Sequence, residues 1–435
     1  MFFLDLDRFK KKVAFIADGI TTDYEQLEQK IAEFSKHLPK EKSLVAFLMR
    51  RKIKDIVAYL ACLRMGHSVL MIDPDRTQEQ KEHLFNRYKP NLIYDDSLRP
   101  YYQEQHNLYE ALALLLPTSG STGSSKYVRL SLENLQANCD SILSYLPLKS
   151  DERSISSLPL YYSYGLSVLH THLQVGASLV LSEVSPIQKE FWELFTHYKV
   201  TNFNGVPYHY EILKKLRFQS KKYPSLRFLT QAGGKLHKNL VEHFAKDALA
   251  NEKLFFVMYG QTEATARISY LPPHETLQKS SSIGIAIANT KLTLVENELV
   301  FYGKNVMLGY AVNYEDLAKG DELHGKLHTG DLGYQDNEGY FYITGRAKRF
   351  IKLFGNRVNL DEIEQKLKQT INELVITALD DKLFIWMLED HTKEIEQILK
   401  NEYALHHSGF TCKLLKEFFY TPNGKIDYKR FEEII

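Results

Sequence analysis

Two hydrophobic periods alternate along most of the chain. Residues 24–38 set Leu27, Ile31, Phe34 and Leu38 three to four apart, behind a polar Thr21-Thr22-Asp23 start that can cap a helix. Residues 44–48 form a short unbroken apolar run and predict a buried strand. Helical spacing returns over 53–65, and 68–72 is a second apolar run that ends at Asp73-Pro74. Strand, helix, strand at these lengths predicts a βαβ unit around a parallel sheet. The alternation recurs, with strands at 112–116, 177–181, 202–205, 226–230 and 254–258 and helices over 132–146 and 191–198. It predicts a large α/β body that continues to about residue 345.

After Leu292 the period shortens to that of strands. KLTLVENELVFYG predicts a hairpin around Glu296-Asn297, and LGYQDNEGYFYITG a second one around Asp336 to Gly339. From Lys348 the chain restarts as a small α+β unit, with helices over 360–369 and 392–401. The expected organisation is a body over residues 1–346, built from parallel doubly wound sheets plus a small β-rich subdomain. A small C-terminal α+β domain follows over 347–435.

Composition narrows the classes. The 435 residues are 44% hydrophobic and 25% charged, ordinary for a globular enzyme. Lys plus Arg total 55 against 54 for Asp plus Glu, a net charge of +1, so no global field draws the chain to nucleic acid. Three cysteines, Cys62, Cys139 and Cys412, stand far apart without metal or disulfide spacing, which suits a reducing cytoplasm. The opening MFFLDLDRFKKK places acids before its basic cluster and lacks a long apolar core, unlike a secretory signal. The most apolar stretch, 56–72, is broken by Arg64, Gly66 and His67 and is too short to span a bilayer.

Four segments carry chemistry. Thr118, Ser119, Gly120, Ser121, Thr122, Gly123, Ser124, Ser125 and Lys126 follow an apolar strand. Glycines let backbone amides turn toward an anion, hydroxyls add donors and a lysine adds charge, so the run suits a phosphate. It is not a Walker A loop, which needs Gly immediately before Lys, and a P-loop kinase is thereby excluded. Tyr259-Gly260-Gln261-Thr262-Glu263 closes another apolar strand, at the carboxyl end where ligands bind in doubly wound sheets. There an aromatic can stack on a base, a hydroxyl can meet a phosphate and a carboxylate can hold magnesium. In the third segment, His328-Thr329-Gly330-Asp331 with Gly345-Arg346, a turn at Asn337 and Glu338 would set Asp331 opposite Thr344, one step from Arg346. Such a carboxylate can form a simple ion pair or take two ribose hydroxyls. Near the carboxyl terminus, Pro422-Asn423-Gly424-Lys425 is a tight turn displaying a lysine.

In order and spacing the four resemble the adenylate-forming superfamily of acyl-CoA synthetases, luciferases and nonribosomal-peptide adenylation domains. TSGSTGSSK is similar to its TSGTTGxPK loop, with Ser-Ser where Pro is usual. YGQTE, GKNVMLGY, LHTGDLGY, ITGRAKRFIKLFGNRVNLDEIE and TPNGKID resemble the later motifs, and the likeness covers nearly the whole chain. The resemblance implies an ATP- and magnesium-dependent ligase that converts a carboxylic acid to acyl-AMP and passes it to a thiol of CoA or an acyl-carrier protein. By that resemblance the loop Thr118 to Lys126 closes on the ATP phosphates and Tyr259 stacks on adenine. Thr262 contacts the α-phosphate, Glu263 holds magnesium, and Asp331 binds the ribose with Arg346 nearby. Lys425 bridges the carboxylate and the α-phosphate. The C-terminal domain swings about Lys348 between two half-reactions, the second passing the segment from Lys352 through Gly355 to Arg357. Tyr164, Asn204, Gly233 and Gly234 are the candidates for the acyl pocket.

The chain departs from the family's pattern in three ways. The stretch between Asp73 and the phosphate loop is compressed, and the small domain is short. Amino-acid-activating members carry an acid in the segment matching residues 159–165, where this chain has three tyrosines. A buried ammonium without a counter-ion is costly, so α-amino acids are disfavoured. A nucleotide-binding regulator of the same fold is disfavoured by the joint presence of Glu263, Asp331, Arg346 and Lys425.

Overall fold

The computed structural model describes residues 1–104, 107–118, 126–347, 350–353, 356–371, 373–379, 382–403, 405–421 and 424–435, with backbone alone at 350–353, 356–359 and 365. Packing divides the chain into two compact units. The first takes residues 1–118, 126–292 and Phe301–Leu327; the second takes Thr293–Val300 and His328–Ile435.

The first unit is built on two large sheets. The seven-stranded sheet runs Gly309–Ala311, Tyr127–Ser131, Leu112–Pro117, Ser68–Ile72, Leu44–Leu48, Leu92–Asp95, Ser97–Pro100. Its centre is parallel, with Val45 opposite Val69 and Val69 opposite Leu114. Leu44–Leu48 and Ser68–Ile72 are buried at every position, as strands covered on both faces must be, which is why each reads as an unbroken apolar run. The intervening helix, Ile53–Arg64, buries nine of its side chains. The predicted first helix spans Tyr24–Ser35; Asp23 caps it by accepting from the Gln26 amide while the Gln26 side chain returns the bond.

The nine-stranded sheet runs Ile285–Ala286, Ser269–Leu271, Leu254–Tyr259, Phe228–Gln231, Asn202–Gly205, Arg153–Ile155, Ser178–Leu181, Val13–Ala17, Ile20–Asp23. The parallel core of this sheet aligns Gly205 and Gln231, the last residues of their strands, with Val257, two residues before the end of the next. Four longer helices escaped the sequence reading: Gln78–Tyr88, Ser163–Val175, Pro207–Lys215 and Lys238–Ala250. Ser163–Val175 is buried on nearly every side, so no amphipathic stripe marks it in the sequence.

The strands Lys291–Val295, Glu298–Tyr302, Lys326–Gln335 and Phe341–Arg346 form a four-stranded sheet, most of whose residues belong to the second unit. Glu296 and Asn297 both take positive φ, 50° and 66°, as a two-residue hairpin turn demands. Further on, Leu374–Leu379, Lys382–Met387 and Phe410–Leu414 form a three-stranded sheet. It is covered by the helices Leu360–Leu367 and Thr392–Tyr403 through Ile363, Leu367, Ile395 and Leu399, all fully buried. Among the described residues no helix is long and apolar enough to cross a membrane.

Candidate active site

The strand Leu254–Tyr259 delivers the YGQTE segment to its carboxyl end. Gly260 is obligatory there, because a Cβ would lie 2.0 Å from the Ala266 carbonyl oxygen. The chain then makes one 3-10 turn, Thr262–Ala264, and reverses at Thr265, whose φ is +63°. That unusual backbone is held from outside. The Thr265 hydroxyl donates to the Asn305 carbonyl at 2.7 Å, and the Asn305 amide donates to the carbonyls of Ala264 (3.0 Å) and Arg267 (2.9 Å).

Thr262, buried, lies 3.5 Å from the Ser163 hydroxyl. Next to it the Glu263 carboxylate accepts a hydrogen bond from the Tyr310 hydroxyl at 2.8 Å. The Lys126 ammonium sits 3.8 Å from the centroid of the same tyrosine ring. Tyr310 thus joins an acid from one sheet to a base from the other. Its strand is clamped by Arg129, which is fully buried, pairs with Glu322 and donates to the carbonyls of Leu308 (3.3 Å) and Tyr310 (3.2 Å). Asn305 and Tyr310 were passed over as site residues, although both lie in the GKNVMLGY motif that the sequence singles out. Burial and the Glu263 carboxylate both keep the Tyr310 phenol protonated, well above its ordinary range.

Residues 119–125 of the glycine- and serine-rich loop, including Ser119, Gly120, Ser121, Thr122 and Gly123, lie outside the described residues. The ends of the loop, Thr118 and Lys126, are both half-buried. Lys348 and Gly355 also lie outside the described residues.

In the second unit, Asp331 pairs directly with Arg346 rather than with Thr344, a correction of two positions. The turn spans Asp336 to Tyr340, with the Asp336 carboxylate accepting from the amides of Glu338 (3.0 Å) and Tyr340 (2.9 Å), which moves the centre of the hairpin by half a residue. A β-bulge between Leu332 and Gly333 then absorbs Thr344. The Arg346 Nε donates to Asp331 Oδ1 at 3.0 Å. The carboxylate is buried while the guanidinium is 68% exposed.

Lys425 stands on a tight turn at the other end of the unit. The Thr421 amide donates to the Lys425 carbonyl at 2.7 Å, Gly424 donates to the Thr421 carbonyl at 2.8 Å, and Tyr420 bridges to Ile426. Ile426, Phe419 and Phe431 anchor the turn in a small aromatic core.

Of the residues chosen for an acyl pocket, Tyr164 and Asn204 belong to one buried network, whereas Gly233 is half-buried and Gly234 exposed. The Tyr164 hydroxyl lies 2.7 Å from the Thr230 hydroxyl, which donates to Asn204 Oδ1 at 2.8 Å. The Asn204 amide donates in turn to Ser154 and Asn202, both at 3.0 Å. Gly233, with φ +87°, faces Tyr162, whose hydroxyl would stand 2.8 Å from a Cβ placed there; Gly234 faces Pro207. His172 closes the network: its Nδ1 bonds the Val168 carbonyl (2.7 Å) and its Nε2 faces the Asn202 amide (3.3 Å).

Burial lowers His170 to about 3 and His172 and His209 to about 4. As pH falls below 6.5 the unfolded chain takes up protons that the folded chain refuses, so stability is full above that value and declines toward pH 4. A pH unit below 6.5, each of the three costs about 1.4 kcal/mol. Denaturant melts between pH 7.5 and 5.5 should show this loss, and a flat profile would contradict the neutral assignment.

The family model described as AMP-binding enzyme matches residues 2–107 and 95–311, more than half of the chain. The chain belongs to the AMP-binding enzyme family. It is 31% identical over 274 residues to oxalate–CoA ligase of Arabidopsis thaliana, a match covering 59% of this chain and 52% of that protein. It is also 25% identical over 416 residues to 2-succinylbenzoate–CoA ligase of Bacillus pumilus, covering 85% and 83%. The matched part spans about half the length of the Arabidopsis relative and 56% of a Bacillus cereus 2-succinylbenzoate–CoA ligase. In fold, this AMP-binding enzyme matches o-succinylbenzoate CoA synthetase from Bacillus subtilis in complex with its acyl-adenylate intermediate. The TM-score is 0.81 at 18% identity, over 99% of this chain and 97% of that one. The α/β architecture is therefore that of the adenylate-forming enzymes.

Proposed function

We propose that this enzyme activates a carboxylic acid with ATP and then transfers the acyl group to the thiol of CoA. The observation that carries the reading is the arrangement of Glu263, Tyr310 and Lys126 around one aromatic ring, beside Thr262 at a strand's carboxyl end. In the first step a carboxylate oxygen attacks the α-phosphorus of ATP and pyrophosphate leaves. In the second a thiol attacks the acyl carbon and AMP leaves. The names of the relatives, CoA ligases for oxalate and for 2-succinylbenzoate, support CoA as the acceptor. A carrier-protein pantetheine offers the same thiol and remains the second reading.

Within this reading Thr118, the hydroxyl-rich loop and Lys126 hold the phosphates, Tyr259 stacks on adenine and Thr262 meets the α-phosphate. Asp331 takes the ribose hydroxyls, Arg346 orients that carboxylate, and Lys425 neutralises charge developing at phosphorus. Tyr164, Asn204, Gly233 and Gly234 line or support the acyl pocket. Residues from 347 onward reorient about Lys348 between the steps.

Magnesium suits the residues present. Glu263 supplies a hard oxygen donor, held in place by the Tyr310 hydroxyl. That matches an ion held by one carboxylate and the substrate's own phosphates. When bound, magnesium would neutralise phosphate charge. The Tyr310 hydroxyl would hold the carboxylate in place for it. We place the reaction in the cytoplasm, a reading supported by three free thiols, Cys62, Cys139 and Cys412.

The test is pyrophosphate release driven by a panel of carboxylic acids, with and without CoA. Acid-dependent release followed by CoA-dependent thioester formation is expected. Release with α-amino acids alone would move the enzyme to the amino-acid-activating branch. Nucleotide binding with no release for any acid would indicate a regulator.

A further inference from the structure

We infer that the acid carries a second anionic group and that Arg267 receives it. This rests on the acid-activation reading above and names the substrate class of that site. Arg267 follows the YGQTE turn and is 3% exposed. A guanidinium stays charged in any protein interior, so a buried one calls for a carboxylate. Among the described residues no carboxylate pairs with it, and its side-chain partners are the neutral Tyr145 phenol and a carbonyl. Its Nη1 donates to the Ala266 carbonyl at 3.1 Å, its carbon lies 4.2 Å from the centroid of the Tyr164 ring, and its Nε is buried without a partner.

The guanidinium lines a small cavity beneath the helix Ser163–Val175, together with Asn204, Asn202, His172 and Met258. The polar neighbours cannot serve as counter-ion. Asn202 and Asn204 are neutral and bonded to each other, and burial keeps His172 neutral at physiological pH. Aromatic faces offset part of the charge and leave the Nε–H unmatched. An anion from outside is the missing partner, and the cavity adjoins the network of Tyr164 and Asn204.

As described here the cavity holds little more than a water-sized group. A substrate must therefore displace a wall, and Met258, unbranched and adaptable, is the side chain able to yield. The same cation disfavours α-amino acids by repelling their ammonium, independently of the missing acid in residues 159–165.

The experiment pairs diacids from malonate to suberate, and phthalate isomers, with monoacids of equal carbon count. Pyrophosphate release and calorimetric binding are measured on the unmodified enzyme, Arg267→Met and Arg267→Lys. The unmodified enzyme should favour a diacid by at least about tenfold in kcat/KM, since a site built for a charged hydrogen bond rejects the analogue lacking it. Arg267→Met should abolish the preference by lowering kcat/KM for diacids far more than for monoacids, and Arg267→Lys should retain part of it. A preference for monoacids, or equal loss with both acid types in a folded Arg267→Met, overturns the inference. If no acid drives release, calorimetry decides. Diacid binding that depends on Arg267 sustains the inference while the ligase reading falls, and diacid binding unaffected by Arg267→Met, or absent, ends both.

Discussion

Lys425→Ala is expected to lose acid-dependent exchange of pyrophosphate into ATP by about two to three orders of magnitude, the usual cost of removing a placed charge from a transition state. The turn that carries the lysine is closed by main-chain bonds between Thr421, Gly424 and Lys425 and anchored through Ile426. Truncation beyond Cβ removes the ammonium and leaves these bonds intact, so the loss is one of chemistry rather than folding. Supplied with a synthetic acyl-adenylate and CoA, the same variant should form thioester at close to the normal rate, because in the proposed reorientation that step does not use Lys425. Equal loss of both steps would remove the assignment. An intact adenylation rate would transfer the role to another cation, with Lys126 the first to examine.

For Asp331→Ala the expected result is a raised KM for ATP and a kcat/KM lowered by roughly 10- to 150-fold, corresponding to about 1.5–3 kcal/mol for a charged hydrogen bond. The carboxylate is buried, whereas its partner Arg346 is 68% exposed. Removing the acid therefore leaves a solvated guanidinium, not a stranded buried charge, and the melting temperature should change little. 2′-Deoxy-ATP separates the two roles open to this carboxylate. If the unmodified enzyme uses it as well as ATP, Asp331 is an ion-pair partner and holds no ribose.

The elements read correctly from sequence alone are ones whose burial leaves a regular mark, either an unbroken apolar run or a helical stripe. Leu44–Leu48 and Ser68–Ile72 were bounded to the residue, because strands buried on both faces are continuous apolar runs. The helix Tyr24–Ser35 was legible from its cap and its stripe. The helix Ser163–Val175 was not, since burial all round erases the stripe. Four short motifs sufficed to recognise the family, because their order and spacing together are far more specific than any one of them alone.

What the sequence could not convey depends on pairings between distant segments. The β-bulge that sets Asp331 against Arg346 is one: a single extra residue shifts the register, and nothing local announces it. Another is Tyr310, 47 positions from Glu263, which reaches it only because Arg129 fastens the strand Gly309–Ala311 to the sheet edge. Arg267 is the third. In the sequence it is one cation among 55 basic residues, and only burial without an acidic partner distinguishes it. Local pattern determined the elements and the family. The tertiary structure decided which charges are compensated, because compensation is a property of neighbours in space.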